Sequence, residues 1–342
     1  MHALHLNIYV TDFCNRKCSY CYNPMSESSL KTMTSKTAID VGNWIGKVSE
    51  KENIQNFRAH FLGGEPFLNL PAIYNIVDTI DKKYNVPPAA EGKYIIFTNG
   101  DFLTESNLQE IKKRRILIYL HCVNDLSLLE LERRIALVKY ICGGCSLSIV
   151  IDDSPIERFV EIIKLAIKHK CHPRMNALYE VEENQVKDYT EIYRTKISTA
   201  LNMLIDSNWA VYPNFLQSEQ FVTWDKIGIN PHFCGKCFYV IDAVGGIRSC
   251  TLKNTDMGNI YENTDLGTLH FHQRHSAKYI KECQDCQYIT WCQGGCPMRR
   301  KIASGSYNNK IYLCDVYKEL FPKVFILRDR WLKFKEAGNG SI

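Results

Sequence analysis

Cys14, Cys18 and Cys21 form a C-x3-C-x2-C cluster in the run CNRKCSYC, directly after an apolar stretch at residues 5–10. Three thiolates on one short loop can hold three irons of a cubane iron-sulfur cluster. The fourth iron then has no protein ligand, so a small molecule can chelate it. The spacing therefore predicts a cluster whose open iron is a reaction site.

The competing interpretations of this loop are a chance spacing and a zinc site. The chain has 15 cysteines in 342 residues, so some short spacings arise by accident. Structural zinc takes four protein ligands in closed tetrahedral geometry, and the loop offers three with no histidine close by. In a reducing compartment a high cysteine count indicates metal binding or catalysis instead of disulfides. The iron-sulfur interpretation is favoured.

Length and charge set wide bounds. A chain of 342 residues can bury a sizeable core and divide into two domains. The net charge of +5 is mild and its basic residues are spread out, which gives no support to a nucleic-acid surface. The first ten residues lack signal-peptide character, and no apolar run reaches the length that spans a bilayer. We therefore expect a cytoplasmic protein with no membrane or nucleic-acid partner.

The chain up to about residue 206 alternates short apolar runs with longer segments of helical periodicity. The strand candidates are 5–10, 57–62, 94–98, 116–122, 147–151 and 174–179. The helix candidates are 35–50, 70–84, 105–114, 126–140, 154–169 and 184–206. Six β-α units predict an α/β protein with a parallel sheet, either an open doubly wound sheet or a partial barrel. Functional groups on such sheets lie at the carboxyl ends of the strands.

The composition changes after this region to aromatic residues, glycine and cysteine. Eight of the fifteen cysteines lie between Cys234 and Cys314. The predicted organisation is a first domain at 1–206, a linker at 207–230, a cysteine-rich domain at 231–320, and a C-terminal helix and tail at 321–342.

A G-G-E-P run, Gly63 to Pro66, follows the second predicted strand. Paired glycines let backbone carbonyls approach a ligand closely, and the Glu65 carboxylate can accept hydrogen bonds from an ammonium group. The plainer alternative is a β-to-α turn with a proline in the first turn of the helix. Together with the cysteine loop, the run suits a ligand that carries an amino group.

The two motifs together resemble the radical S-adenosylmethionine (SAM) superfamily. The resemblance implies a partial (β/α)6 barrel, chelation of the open iron by SAM, reductive cleavage of SAM to a 5′-deoxyadenosyl radical, and hydrogen abstraction from a substrate. Arg133 or Arg134 is a candidate contact for the SAM carboxylate. The implied SAM-site residues are Tyr20 near the adenine, Gly63, Gly64, Glu65 and Pro66 at the amino group, and Thr98, Asn99 and Gly100 along the pocket.

The downstream cysteines supply eight thiolates, enough for two closed sets of four, with zinc ribbons as the alternative. The segment resembles the SPASM domain of radical SAM enzymes, which carries two auxiliary [4Fe-4S] clusters. By that resemblance, and not by spacing, the sets are Cys234, Cys237, Cys250 and Cys296 for one cluster and Cys283, Cys286, Cys292 and Cys314 for the other. The expected cofactors are thus SAM and three [4Fe-4S] clusters.

SPASM enzymes mostly modify peptides or proteins, so we expect oxidative modification or crosslinking of a ribosomally made peptide. The expected partners are that peptide, an electron donor such as flavodoxin or ferredoxin, and a separate leader-binding protein if a leader is used. The first strand begins near residue 4, so we expect no leader-binding domain ahead of it. A leader would otherwise dock on the barrel or the SPASM surface.

Several alternatives stay open: sulfatase maturation, peptide epimerisation, small-molecule dehydrogenation and, outside enzymes, a zinc-stabilised binding module. Anaerobic sulfatase maturases carry an aspartate base at the position of Thr251. Threonine is a poor base at neutral pH, which argues against that activity.

The candidate catalytic residues are Cys122, His121 and Asp152, which lie at predicted strand ends. Cys122 is a candidate hydrogen-atom donor, as in peptide epimerases, although a small buried thiol is the plainer interpretation. His121 or Asp152 is a candidate for proton removal. Cys142 and Cys145, in a C-G-G-C loop, are a candidate redox pair or a tight turn.

Overall fold

The computed structural model describes residues 3–22, 30–89, 92–179, 181–211, 237–251, 256–262, 277–292 and 294–339. Within those described residues, the chain forms two compact units. The first unit comprises residues from 1–121, 133–145 and 233–271, and the second comprises residues from 122–132, 146–232 and 272–342. The predicted domain boundaries remain predictions.

Six strands alternate with six helices along the first part of the chain. The strands are β1 (Ala3–Thr11), β2 (Asn56–Gly63), β3 (Tyr94–Thr98), β4 (Ile116–His121), β5 (Ser146–Ile151) and β6 (His172–Ala177). The helices are α1 (Ser35–Lys51), α2 (Leu70–Lys83), α3 (Glu105–Lys113), α4 (Leu128–Cys142), α5 (Ile156–His169) and α6 (Val186–Asp206). The six predicted β-α units are all present, and their ends differ from the predictions by at most two residues.

The first unit holds a sheet in which β1 to β4 are parallel and lie side by side. Side chains alternate between the two faces of each strand. In β1, Leu4, Leu6 and Ile8 are at most 1% exposed, and the more polar residues alternate with them. Because parallel strands end at the same edge, the segments after β1, β2 and β3 meet at the carboxyl edge of this sheet.

Three short strands extend the same sheet beyond β1. They are β7 (Phe238–Ile241), β8 (Gly246–Arg248) and β9 (Asp256–Asn259). Strand β7 pairs with β1 in parallel, and β8 and β9 continue the sheet antiparallel. The sequence analysis predicted no strand here, because runs of three or four residues are too short to show periodicity.

The second unit contains the parallel pair β5 and β6 and the helices packed with it. The later helices are α7 (Ile289–Cys292), α8 (Pro297–Ser304) and α9 (Cys314–Phe334), all in this unit. Helix α9 packs along α6, where Arg330 donates to the carbonyls of Leu204 and Ile205 at 3.2 and 2.9 Å. These bonds satisfy carbonyl groups that the end of α6 leaves without helical partners. Within the described residues, no helix has the length and apolar character to cross a bilayer.

Candidate active site

The three clustered cysteines lie on the loop that follows β1. Cys14 and Cys18 are half-buried, and Cys21 is exposed. The Arg16 amide donates to the Cys14 sulfur at 3.4 Å, and the Cys21 amide donates to the Cys18 carbonyl at 3.0 Å. Burial raises the pKa of the Cys14 thiol, and the nearby charges of Glu65 and Cys21 add to this effect. The loop therefore brings Cys14 close to Cys21 and to the Glu65 side chain.

A backbone amide that donates to a cysteine sulfur is one of the interactions that tune an iron-sulfur cluster. Among the described residues, no three His, Cys, Asp or Glu side chains converge on a point that could hold a single metal ion. The thiolates of a cubane bind separate irons at its corners, so they do not need to converge on one point.

The turn after β2 packs directly against the start of the cysteine loop. The Gly64 amide donates to the Thr11 carbonyl at 2.8 Å, and the Glu65 amide donates to the Phe13 carbonyl at 2.7 Å. A Cβ on Gly63 would lie 2.1 Å from the Thr11 oxygen, and one on Gly64 would lie 2.1 Å from the Phe13 oxygen. Both positions exclude any larger residue. The two glycines thus let the backbone of this turn fix the entry to the loop.

The Glu65 carboxylate joins the ends of β2 and β3. It is 1% exposed and accepts from the Phe67 amide at 3.0 Å, the Thr98 hydroxyl at 2.7 Å and the Asn99 amide at 2.8 Å. Burial raises the pKa of Glu65, and these donors counteract that rise. A carboxylate has about four acceptor positions, and three are used within the protein. Glu65 therefore organises the turn, beyond any contact that it makes with a ligand's amino group.

Asp101 ties the cysteine loop to the end of β3. Its carboxylate accepts from Asn15 at 2.6 Å, from two nitrogens of Arg16 at 2.5 and 2.6 Å, and from Arg134 at 2.9 Å. Burial raises the pKa of Asp101, but the hydrogen bonds from Arg16, Asn15 and Arg134 outweigh it and lower the pKa to about 2. Asn99 joins the network by donating to the Asn15 side chain at 2.9 Å and accepting from Arg134 at 2.9 Å.

Asp101 directly follows the T-N-G run but was not among the predicted site residues. Its two arginine partners lie 85 and 33 residues away, so spacing alone gives no signal for the network. Arg134, which was a candidate contact for the SAM carboxylate, is held here by Asp101.

Tyr20, on the cysteine loop, and His121, at the end of β4, are brought together. The Tyr20 hydroxyl lies 3.0 Å from Nε2 of His121, and the two rings meet edge to face with centroids 5.6 Å apart. The predicted adenine contact and a candidate catalytic residue are therefore neighbours.

One set of C-terminal cysteines surrounds a cavity in the second unit. The four thiols that line it are those of Cys283, Cys286, Cys292 and Cys314. Burial raises the pKa of the Cys292 thiol to about 12, and the neighbouring thiols of this set contribute to the rise. Four cysteines around one largely apolar space fit the closed ligand set of an auxiliary cluster.

Arg300, on α8, is fully buried and lies near Gly294, which lines this cavity. Burial lowers the pKa of its guanidinium, and the charges of Cys296, Cys283 and Cys292 counteract that effect. A buried cation therefore lies among the cysteines of this region, a feature that was not predicted from the sequence.

The other set of cysteines is described only in part. Cys234 lies outside the described residues. Cys237 and Cys250 are buried in the first unit, and Cys296 precedes α8 in the second. The Cys237 carbonyl accepts from the His5 amide at 2.7 Å, beside β1. The grouping of these four cysteines remains a prediction.

A comparison with protein-family models matches residues 8–190 to the radical SAM superfamily, which is more than half of the chain. The chain belongs to the radical SAM superfamily. This confirms the family that was expected from the cysteine loop and the G-G-E-P run.

Two curated proteins resemble this radical SAM protein. An uncharacterised protein of Methanocaldococcus jannaschii is 34% identical over 110 residues, which cover 32% of this chain and 35% of that protein. The match therefore spans little more than a third of that relative's length. The radical SAM cyclopropyl synthase TigE of Paramaledivibacter caminithermalis is 20% identical over an alignment that covers 93% of this chain and 73% of TigE.

Solved structures resemble the whole radical SAM chain in fold. The structure of anSMEcpe with bound AdoMet has a TM-score of 0.72 at 21% identity and covers 96% of this chain and 99% of its own. SuiB of Streptococcus suis bound to precursor peptide SuiA has a TM-score of 0.61 at 19% identity, with 91% and 75% covered. At these identities the likeness shows a shared fold. It confirms the predicted partial (β/α)6 barrel followed by a cysteine-rich region.

Membership of the radical SAM superfamily implies SAM and a [4Fe-4S] cluster as cofactors. The residues present fit them: three thiols lie on one loop, an amide donates to one of the sulfurs, and the Gly63–Glu65 turn packs against the start of that loop.

Cys122, the candidate hydrogen-atom donor, is a buried thiol. Its amide donates to the Ser148 carbonyl at 2.9 Å, and only 4% of the residue is exposed. Burial raises the pKa of Cys122 to about 12; the Arg158 charge counteracts this rise, and the Cys171 charge adds to it. This environment suits a packed core thiol, and a catalytic role for it stays a prediction.

Asp152 lies just beyond β5, and its carboxylate contacts other residues of the second unit. It accepts from Asn124 at 2.5 Å and from the Ser154 amide at 3.1 Å, and Nζ of the buried Lys196 lies 3.6 Å away. Burial raises the pKa of Asp152, but the hydrogen bonds from Ser154 and Asn124 outweigh it, so the pKa is lowered. A depressed pKa makes a weak base, so this geometry points to a structural ion pair.

Thr251, where sulfatase maturases have an aspartate, belongs to a polar group in the first unit. The Asn7 side-chain amide donates to its hydroxyl at 3.4 Å, and Oδ1 of Asn7 lies 3.1 Å from Nδ1 of His60. His60 is packed edge to face with Phe97, their centroids 5.4 Å apart. Asn7 and His60 pair across β1 and β2, so both share one face of the sheet. The sequence analysis did not single out Asn7 or His60.

Proposed function

We propose that this radical SAM protein abstracts a hydrogen atom from a ribosomally made peptide and gives it an oxidative modification or crosslink. One observation carries the proposal: the cysteine loop, the Gly63–Glu65 turn and the Asn99–Asp101 segment meet at the carboxyl edge of one sheet. This edge is where α/β sheets bind their ligands.

Each part of this edge has a separate task in the proposal. Cys14, Cys18 and Cys21 hold three irons, the Gly63–Glu65 turn receives the SAM amino group, and Tyr20 lies against the adenine. The cluster and SAM together supply a one-electron cleavage that yields a hydrogen-abstracting radical. The chain's own contribution is to keep the loop, the turn and the end of β3 in one fixed arrangement.

Two auxiliary [4Fe-4S] clusters complete the proposed set of three. The cavity lined by four thiols supports the cluster of Cys283, Cys286, Cys292 and Cys314. A closed ligand set leaves no position for SAM, so these clusters transfer electrons. Oxidation of a substrate radical to a closed-shell product releases one electron, which such a cluster can accept.

A peptide substrate is supported by the proteins that share this fold. Structures of anSMEcpe hold the Cp18Cys or the Kp18Cys peptide, and SuiB holds its precursor peptide SuiA. Over most of this chain, TigE is also similar in sequence. In this proposal the peptide, with or without a leader, is the partner, the electron comes from a flavodoxin or ferredoxin, and a separate protein binds any leader.

The test uses the full chain, reconstituted anaerobically with iron and sulfide. We expect about twelve irons per chain and the broad visible absorption of [4Fe-4S] clusters. The protein is then incubated with SAM, dithionite and the peptide encoded by a short neighbouring reading frame. The mass of the peptide is measured by mass spectrometry. We expect the mass of the peptide to fall by the mass of the hydrogen atoms that it loses. Fragmentation should localise this loss to one residue or one pair of residues.

Two results would overturn the proposal at different levels. Stoichiometric zinc with no visible absorption would support a zinc-stabilised binding module. Full iron content and SAM cleavage, with turnover of a small molecule and an unchanged peptide, would leave the family assignment intact and remove the peptide substrate.

A further inference from the structure

Arg300 lies next to the cavity-lining Gly294 and has no exposure to solvent. It lies on α8, where its amide donates to the Cys296 carbonyl at 3.1 Å, and it is 0% exposed. A Cβ on Gly294 would lie 3.3 Å from Nη1 of Arg300. Gly294 lines the cavity together with Cys283 and Cys292. The guanidinium therefore lies next to a residue that lines the predicted cluster site.

A buried guanidinium needs a compensating negative charge. Arginine is not deprotonated in proteins, so the charge persists. Burying a cation without an opposite charge is strongly unfavourable. The charges that stabilise this guanidinium come first from Cys296, which belongs to the other predicted set, and then from Cys283 and Cys292 of this set. Cysteines bound to a metal are thiolates, so a metal-bound set supplies that negative charge permanently.

We propose that Arg300 raises the reduction potential of the cluster held by Cys283, Cys286, Cys292 and Cys314. This inference rests on the proposed function, in which that set binds an auxiliary cluster. One electron added to the cluster makes it more negative by one charge, and a fixed cation beside it stabilises the reduced form more than the oxidised form. The electron comes from the substrate radical in the reaction or from dithionite in the test, and Arg300 takes up no proton.

Arg300 thereby makes this cluster the preferred acceptor of the electron that the substrate radical releases. A cluster with a raised potential takes an electron from a substrate radical more readily than it gives one up. Arg300 thus favours oxidation of the substrate over return of the electron. It touches neither substrate nor SAM in this account and acts only through the cluster.

Arg299 offers a matched control on the same helix. It is 2% exposed, and it donates to the Ala177 carbonyl at 3.0 Å and lies over the Tyr179 ring. Replacing either arginine by methionine removes one buried positive charge from α8. Arg300 lies against Gly294, which lines the cavity, whereas Arg299 contacts Ala177 and Tyr179.

The experiment is a potentiometric titration with dithionite, followed by electron paramagnetic resonance. The full chain carries Cys14, Cys18 and Cys21 as alanines, so only auxiliary signals remain, and a further Cys314→Ser variant identifies the signal of this set. Arg300→Met is expected to lower the equilibrium constant for reduction of that cluster at least tenfold, about 59 mV for one electron. Arg300→Lys should retain most of the potential, and Arg299→Met should leave it unchanged.

An unchanged potential in Arg300→Met at full iron content would overturn the inference, as would an equal shift in Arg299→Met. If Arg300→Met does not fold, Arg300→Gln, which retains hydrogen-bonding groups without the charge, is titrated instead with the same expected shift. Absence of an auxiliary cluster at this set in the protein with unchanged arginines would overturn the proposed function as well.

Discussion

Asp101 is the residue on which the arrangement of the cysteine loop depends most. Asn15 and Arg16 lie between the first two cysteines, and Arg134 comes from α4. All three donate to the one carboxylate. Hydrogen bonds between a bidentate arginine and a carboxylate are among the stronger and more directional in proteins. The loop is therefore positioned by residues that are not cluster ligands.

The first prediction concerns the stability of the protein without metal. The pKa of Asp101 is lowered to about 2, below that of an unfolded aspartate near 3.9. Its stabilising contribution is therefore complete above about pH 4 and is lost as the pH falls towards about 2. Asp101→Asn should lower the free energy of unfolding by about 2 kcal/mol at pH 7, and by less at pH 3, as measured by urea denaturation.

Asp40 is the control for this substitution. It pairs with Lys36 at 2.7 Å on the surface of α1. Exposed ion pairs contribute about 0 to 1 kcal/mol, so Asp40→Asn should cost less than Asp101→Asn. Equal losses in the two variants, or a difference that does not shrink at low pH, would contradict the role given to Asp101.

Single residues were predictable from the sequence where chemistry requires a fixed local spacing. Cys14, Cys18 and Cys21 belong to one short loop, so their spacing carries the signal. Asp101 and Arg300 could not be found in this way, because their partners are distant along the chain. Their roles depend on burial and on which strand ends become neighbours.

At the level of elements, the turn after β2 is the part most sensitive to side-chain size. Gly63 and Gly64 lie against the carbonyls of Thr11 and Phe13, and Gly63 has a φ of 153°. A side chain at Gly64 would push the turn and the start of the cysteine loop apart. The packing of two backbones is thus the reason for the paired glycines.

The second prediction tests this packing with one methyl group. Gly64→Ala should weaken SAM binding about tenfold or more, because displacement of a site by about 1 Å can cost two orders of magnitude. Gly144→Ala is the matched control, since a Cβ there has no atom within 4 Å. Equilibrium dialysis of SAM against anaerobically reconstituted protein measures both. Full affinity in Gly64→Ala at normal iron content would contradict the account.

The elements themselves were largely predictable because their hydrophobic periodicity is strong. The observed ends differ from the predicted ones where capping determines them. Helix α4 begins at Leu128, two residues after the predicted start, because the Ser127 hydroxyl accepts from the Glu130 amide at 3.1 Å. Serine at this position caps a helix. By contrast, β7 to β9 become strands through pairing with β1 and with each other, which local sequence does not show.

At the level of the whole molecule, the fold was predictable from six repeated β-α units together with two motifs. The family match at residues 8–190 and the structural likeness over 96% of the chain confirm that prediction. The substrate does not follow from the fold, since one scaffold supports many reactions. Thr251, which Asn7 contacts, stands where anaerobic sulfatase maturases carry an aspartate, which argues against that activity. This leaves other peptide modifications as the proposed chemistry.

The most direct test of the central claim is the formation of 5′-deoxyadenosine. Reconstituted protein is incubated anaerobically with SAM and dithionite, and the product is quantified by chromatography. The account predicts 5′-deoxyadenosine from the unaltered protein and none from the variant with Cys14, Cys18 and Cys21 changed to alanine, whose auxiliary absorption survives. Equal production by that variant would contradict the assignment of the loop as the SAM-cleaving site.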